Sequence, residues 1–386
     1  MVRPNAGDSG SNLHQLEGIN PSELQISYLE NVRIPGEAIG IELCNKENLS
    51  KLTLHWTMDK DVLGALVPPN GLKHLELNGY SSISFPNWFM DITHYLPILV
   101  SFKLKNLLSC SSLPPLGQLP NLKELYLERL SSIAKIGGDF CGRKRAFLQL
   151  SRFTLLKMER LEEWTTTYCS EVGTEEFMCP VLDELVISNC PRLRLKPCPP
   201  IFRRWTISHS DEVLNSGDEE GNFSHFNNST PRTRFLVWSQ SYYCGSWRLL
   251  GHLPTLQELE IKRPSQMTSL PESVRQLASL RFLELYKCND ISVLPEWLGD
   301  LKSLERLRIL GCGKIKSMPP SVQQLTKLPE LKQWCESEEN KSKLAHVKDI
   351  VSYSSYTDTP CYVYSLQIPL YFCIYMTLAQ ENKNKR

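Results

Sequence analysis

Few residues in this chain are of a type and spacing that could do bond-making chemistry. His55, His74 and His94 fall in successive segments, and a histidine can serve as general base or metal ligand. No nucleophile and no metal-binding set is spaced around them, so solvated histidines are the expectation. The 13 cysteines form no C-x-x-C pair and no zinc spacing. The string GGDFCGRK at 137–144 has glycines and a lysine. It lacks the G-x-x-x-x-G-K-[ST] spacing whose backbone N–H groups cradle phosphates. Neither an enzyme nor a cofactor nor a metal is expected.

Charge excludes further classes. The 386 residues include 43 basic and 42 acidic side chains, a net charge of +1. That balance predicts neither nucleic acid nor an anionic membrane surface as main partner. The run Arg143-Lys144-Arg145 reads as a solvated loop.

What the chain does repeat is a frame. Residues 280–295 read LRFLELYKCNDISVLP and residues 304–319 read LERLRILGCGKIKSMP. The frame L-x-x-L-x-L-x-x-C-x-x-I-x-x-L-P starts at Leu256, Leu280, Leu304 and Leu328, always 24 residues apart. Looser copies start at Leu49, Leu72, Leu99, Leu122, Leu150, Leu182 and Phe202, at intervals of 23, 27, 23, 28, 32 and 20. Leu24-x-Ile26 reads as a partial first copy. A self-similar unit of roughly 20–29 residues is the signature of leucine-rich repeats.

The frame has a physical reading. Its last two leucines alternate with polar residues, the period of a strand buried on one face. One such strand cannot bury that face alone, so successive units must stack into a parallel sheet over a shared leucine core. Ile291, Ile315 and the pairs Leu298/Leu301 and Val322/Leu325 are expected to close each coil from the far side. The expected fold is α/β: a leucine-rich-repeat solenoid, or horseshoe, with a parallel β-sheet on its concave face. Loops, 3-10 turns or short helices fill the convex side. Cys190, Cys288 and Cys312 occupy the turn after a strand, where a small side chain packs inward and bonds weakly to the backbone.

The residues that vary between the buried leucines tile the concave face. They are His74, Glu76 and Asn78 in one coil, and Glu124, Tyr126 and Glu128 in another. Further on come Glu258, Glu260 and Lys262, then Phe282, Glu284 and Tyr286, then Arg306, Arg308 and Leu310. Mixed charges and aromatics on one extended surface suit a protein partner.

The flanks divide the chain. Residues 1–12 are polar and expected to be disordered, and the solenoid runs over 13–350. Within it, 208–234 is polar and predicts a mobile insertion, and the aromatic stretch 235–250 shows no clear repeat, with a decayed coil as one reading. Residues 328–350 read as a terminal cap. Residues 351–386 leave the pattern and are expected to be disordered. Their uncharged stretch 358–381 is long enough for a bilayer but carries Gln367, Pro369 and four tyrosines, so an anchor is not favoured. Acceptor patterns for N-glycosylation at Asn222, Asn227 and Asn228 read as a polar loop, since MVRPNAGDSGSN has no apolar signal core. Odd, unpatterned cysteines fit a reduced cytoplasmic protein.

Several strings carry a family resemblance: LQISYLENV at 24–32, ENLSKLTLHW at 47–56 and PPNGLKHLELNGYSSISFPNWF at 68–89. So do LPPLGQLPNLKELYLERLSSIAKIGGDF at 113–140, LEEW at 161–164, LDELVISNCPRL at 182–193 and LAHVKDI at 344–350. The chain resembles the leucine-rich-repeat region of plant NB-LRR disease resistance proteins of the coiled-coil type. The resemblance implies an intracellular immune receptor whose repeats sense a pathogen effector or host protein and restrain a nucleotide switch. It implies that the concave strand residues are the recognition face, and that Trp56, Trp88 and Trp297 are structural. The family's P-loop has no match here, so the chain is expected to be a fragment, a truncated paralogue or the remnant of a broken gene. An adaptor on the same scaffold is the alternative.

Overall fold

The computed structural model describes residues 2, 11–32, 34–57, 62–142, 146–169, 175–197, 202–215, 233–240, 247–325 and 327. The chain divides into two units at Ile350/Val351, and every described residue belongs to the first. The repeat start at Leu328, the terminal cap, the stretch 358–381 and the acceptor asparagines lie outside the described residues.

Twelve parallel strands form one sheet in strict chain order. They are β1 (Glu23–Ser27), β2 (Lys51–His55), β3 (His74–Asn78), β4 (Ser101–Lys105), β5 (Glu124–Glu128) and β6 (Arg152–Leu156). The series continues with β7 (Glu184–Ser188), β8 (Arg204–Ser208), β9 (Phe235–Ser239), β10 (Glu258–Lys262), β11 (Phe282–Tyr286) and β12 (Arg306–Leu310). Each is five residues long and begins two residues into the repeat frame. Neighbours pair without slip: Leu259 faces Leu283, which faces Leu307. The second and fourth residues of most strands are buried, as in Leu75/Leu77, Phe102/Leu104 and Leu236/Trp238. Each fully buried aliphatic contributes roughly 1.5–3 kcal/mol.

After eleven of the twelve strands the next residue has positive φ, from Tyr28 (64°) to Gly311 (65°). Only two of these residues, Gly79 and Gly311, are glycine. The left-handed turn lets the backbone N–H reach the strand-end carbonyl of the following coil. Arg263 donates to Tyr286 O at 2.8 Å, and Lys287 to Leu310 O at 2.7 Å.

One residue further on, a second ladder forms. Cys190 N–H donates to Ser210 Oγ at 2.9 Å, and Cys288 N–H to Cys312 Sγ at 3.4 Å. Each of these side chains also donates back to a strand-end carbonyl of its own coil: Ser210 to Ser208 O, Cys190 to Ser188 O, Cys312 to Leu310 O. The turn-position cysteines therefore pack inward and satisfy backbone groups.

The far side carries short turns. Pro271, Pro295 and Pro319 stand at the entrances of 3-10 turns Glu272–Gln276, Glu296–Asp300 and Pro320–Gln324, with φ of −61°, −72° and −66°. A fixed φ near this value suits the start of a helical turn. Ile291, Ile315, Leu298, Leu301, Val322 and Leu325 are all buried there. Lys135–Ile136, Glu163–Thr165 and Arg194–Lys196 form a second, parallel three-stranded sheet. The 32-residue interval after Leu150 holds an extra antiparallel hairpin, Thr167–Cys169 with Glu175–Phe177.

Described residues reach into three stretches that the sequence reading set apart from the regular repeats. Residues 1–12 are not wholly outside the fold. Val2 is buried and donates its N–H to Ser27 O at 2.7 Å, and Ser11 is buried ahead of the 3-10 turn Asn12–Leu16. Lys46, itself buried, anchors this region by donating to Leu16 O and Ile19 O at 2.8 and 2.6 Å. The span 208–234 is core at both ends: Ser210, Val213, Leu214 and Thr233 are fully buried, and 216–232 lies outside the described residues. The stretch 235–250 contains a complete strand, β9, in register between β8 and β10. Its repeat starts with Thr233 in place of leucine and puts Trp238 in the fourth strand position, which hides the frame.

Candidate protein-binding face

The first, third and fifth residues of each strand point away from the leucine core. All fifteen residues singled out in the sequence occupy these positions, on β3, β5, β10, β11 and β12. Zero register offset makes each position a column that runs across neighbouring coils.

Two of the fifteen are not open to solvent. Phe282 is 7% and Glu284 6% exposed. Alternation correctly points them off the core, but neighbouring side chains cover them. The Arg306 guanidinium lies 4.8 Å over the Phe282 ring. Glu284 forms ion pairs with Arg308 at 3.1 Å and Lys262 at 3.6 Å, and Lys262 also pairs with Glu260 at 2.6 Å. Tyr286 stands between Lys287 and Arg263, 5.4 and 5.7 Å from its ring centre. Burial pushes the Glu258 carboxyl up, Arg306 and Arg204 oppose this, and Glu260 adds to it. Leu310 ends β12 half-buried.

A second cluster lies on β3–β7. Glu76 pairs with Lys105 at 2.7 Å, and Lys105 also lies over the Tyr126 ring. The Tyr126 hydroxyl donates to Glu128 at 2.9 Å, and Glu128 accepts from Lys157 at 2.9 Å. Burial and the neighbouring Glu128 push the Tyr126 phenol well above its ordinary range. Asn78 accepts from the Asn106 amide at 2.8 Å. Arg152 bridges Glu124 and Glu184 across three strands, both at 2.9 Å.

Between the clusters the middle and last columns are small and uncharged, with Val186, Thr206 and Val237 in the middle and Ser188, Ser208 and Ser239 in the last, while the first column carries Glu184, Arg204 and Phe235. The sequence reading named no residue of this strip, although it placed the copies at Leu182 and Phe202 that hold β7 and β8. It also missed Arg152, Arg263 and Lys287. All three were findable: Arg152 begins β6 at an outward position, and the other two sit at a fixed offset, the residue after the strand.

The histidines do not converge. His55 ends β2, His74 begins β3 and is exposed, and His94 lies in the short helix Ile92–Tyr95. Phe140 and Cys141 of GGDFCGRK are buried in the helical turn Gly138–Cys141, and its Arg143 and Lys144 lie outside the described residues. Trp56 and Trp88 are buried, with Trp88 Nε1 donating to Leu63 O at 3.2 Å, and Trp297 packs against the core.

Comparison with known proteins fits this geometry. Residues 11–130 match the R13L1/DRL21 LRRs, and residues 234–354 match a leucine-rich repeat region family. This is a leucine-rich-repeat protein. Its repeats are similar to those of plant disease resistance proteins. A putative disease resistance protein of Arabidopsis thaliana is 34% identical over 211 residues, 49% of this chain and 14% of that protein. Putative disease resistance protein RGA1 of Solanum bulbocastanum is 32% identical, over 47% of this chain and 18% of its own. Disease resistance protein RGA2 of the same species is 30% identical, over 48% and 20%. The matched repeats thus span a fifth or less of each relative. Among solved structures, the leucine-rich repeat domain of the type III effector XCV3220 (XopL) aligns with a TM-score of 0.34 and 16% identity, over 83% of this chain and 79% of that one. No helix among the described residues is long and apolar enough to cross a membrane.

Proposed function

We propose that the strand face of this repeat protein is a protein-recognition surface in plant defence. Its partner would be a pathogen effector or a host protein, met in the cytoplasm. The observation that carries the reading is the layout of the face. Aromatic and cationic groups (Tyr286, Arg263, Lys287, Arg306) cluster at one end, a second charged cluster lies toward the other, and small uncharged residues fill the middle and last columns between them. Aromatics and arginines dominate binding energy at protein interfaces, and a strip of small side chains leaves room for a partner's larger ones. The free thiols of the described cysteines suit a reducing compartment. The relatives' names bring in disease resistance. By analogy, in a longer receptor the same surface would also restrain a nucleotide switch.

The test is co-immunoprecipitation of the full chain against a panel of co-expressed pathogen effectors. Any partner found should be lost with Tyr286→Ala and Arg308→Ala and kept with far-side changes such as Glu272→Ala. A partner that binds the face variants as tightly as the parent chain would sink the reading.

A further inference from the structure

The turn ladder holds a pair of thiols that the recognition reading does not use. Cys288 and Cys312 occupy the same position in adjacent coils, two residues beyond the in-register pair Tyr286/Leu310. Cys288 N–H points at Cys312 Sγ, 3.4 Å away. Cys190 stands at the same position of its own coil but has Ser210 as its ladder neighbour on one side. In the coil before it that place falls to Met158, which takes the N–H of Leu130. Among the described residues, Cys288 and Cys312 are the one place where consecutive rungs of this ladder are both cysteine.

We infer that Cys288 and Cys312 are a reversible oxidation site, closing to a disulfide that staples the coils of β11 and β12. Adjacent parallel strands lie about 4.8 Å apart, inside the Cα separation of roughly 4.4–6.8 Å that a disulfide needs. The oxidant belongs to the peroxide class. Cys312 is the rung with some solvent access, at 6% exposed against 0% for Cys288. Its thiol reduces one hydrogen peroxide, forming an S–O bond and releasing one water. The Cys288 sulfur then attacks the sulfenic sulfur of Cys312. The S–S bond forms, the S–O bond breaks, and the hydroxide leaves as a second water with the Cys288 proton. Two electrons pass from the thiol pair to the peroxide. The neighbouring Cys312 thiol and burial hold the Cys288 thiol above its ordinary range, which slows its attack.

The test uses the full chain, treated with hydrogen peroxide, alkylated under denaturing conditions and digested without reductant. The expected product is a peptide joining Cys288 to Cys312, lighter by two hydrogens and reversed by dithiothreitol. It should be absent from C288S and from C312S. Both variants should fold, because Ser210 fills the equivalent rung with the equivalent hydrogen bonds, and a thermal melt checks this. Separate alkyl labels on the two residues after oxidation would overturn the proposal. So would crosslinking confined to Cys141–Cys179, or to exposed Cys44 between copies.

Discussion

The carbonyl oxygen of Trp56 lies directly beneath Gly79: a Cβ on Gly79 would stand 2.1 Å from it. Gly79 also has φ of 84°, so a side chain there meets both a strained backbone and a blocked space. Gly79→Ala should therefore cost about 3 kcal/mol in a denaturant melt. Gly311 has the same hand of turn, but its added Cβ would meet only the Cγ of Lys287 at 3.1 Å. Gly311→Ala should cost about 1 kcal/mol, the ordinary penalty of the left-handed region. Equal losses at the two sites would contradict this packing.

Buried and outward strand positions should separate in the same assay. Leu283 and Leu307 are 0% and 1% exposed, and Asp at either would bury an unpaired charge at a cost of several kcal/mol. Arg306→Ala removes an exposed guanidinium and its contact with Phe282, worth about 0.5–1 kcal/mol. A melt in which Leu307→Asp and Arg306→Ala behave alike would show the faces to be wrongly assigned.

Glu128 gives the fold an acid-side dependence. Burial acts to raise its carboxyl, but hydrogen bonds from Lys157 and Tyr126 and the charge of Lys105 outweigh it and hold the group below the usual carboxylate range. A folded pKa below the unfolded value of about 4.3 means its contribution is present above that pH and lost as pH falls through the lower, folded value. Glu128→Gln should flatten stability against pH below about pH 4.3. Tyr126→Phe should shift the same loss to higher pH by removing one hydrogen bond. Curves that superimpose on the parent would refute the pairing.

Thr233 offers a counterintuitive case. Leucine begins most repeats, so an apolar residue there looks like an improvement. Yet Thr233 Oγ1 accepts from the buried Trp205 Nε1 at 3.3 Å. Thr233→Val should lose about 1 kcal/mol through the orphaned indole N–H; a gain in chemical denaturation would show that bond to be idle.

Thr233 also shows why part of the fold was hidden in the sequence. Ten strands were legible because leucine, isoleucine or phenylalanine held the frame from Leu49 to Leu304, and Leu24-x-Ile26 marked β1. At β9 the frame survives only as Thr-x-x-Leu-x-Trp, with a tryptophan filling the volume of a leucine and a hydrogen bond replacing an apolar contact. The left-handed residue after eleven of the strands left only a partial trace, glycine, asparagine or histidine at five of them. Arg129, Lys157, Gln240 and Arg263 have no propensity for it, and Trp56 makes the same ladder bond without it. The face was legible as a set of positions, since alternation alone fixes which residues point outward. Its clustering was not, because Glu284 is covered by Lys262 and Arg308 from flanking coils, 22 and 24 residues away along the chain.

The slip-free register of the twelve strands makes the face a graduated ruler. Each column steps by about 4.8 Å per coil, and no column's phase depends on the length of the loops behind it. Intervals of 20 and of 32 residues yield the same step. Losing or duplicating one coil would slide every mark beyond it by one graduation and leave each mark's chemistry intact. A surface of this kind can change the spacing it measures without changing the groups that do the measuring.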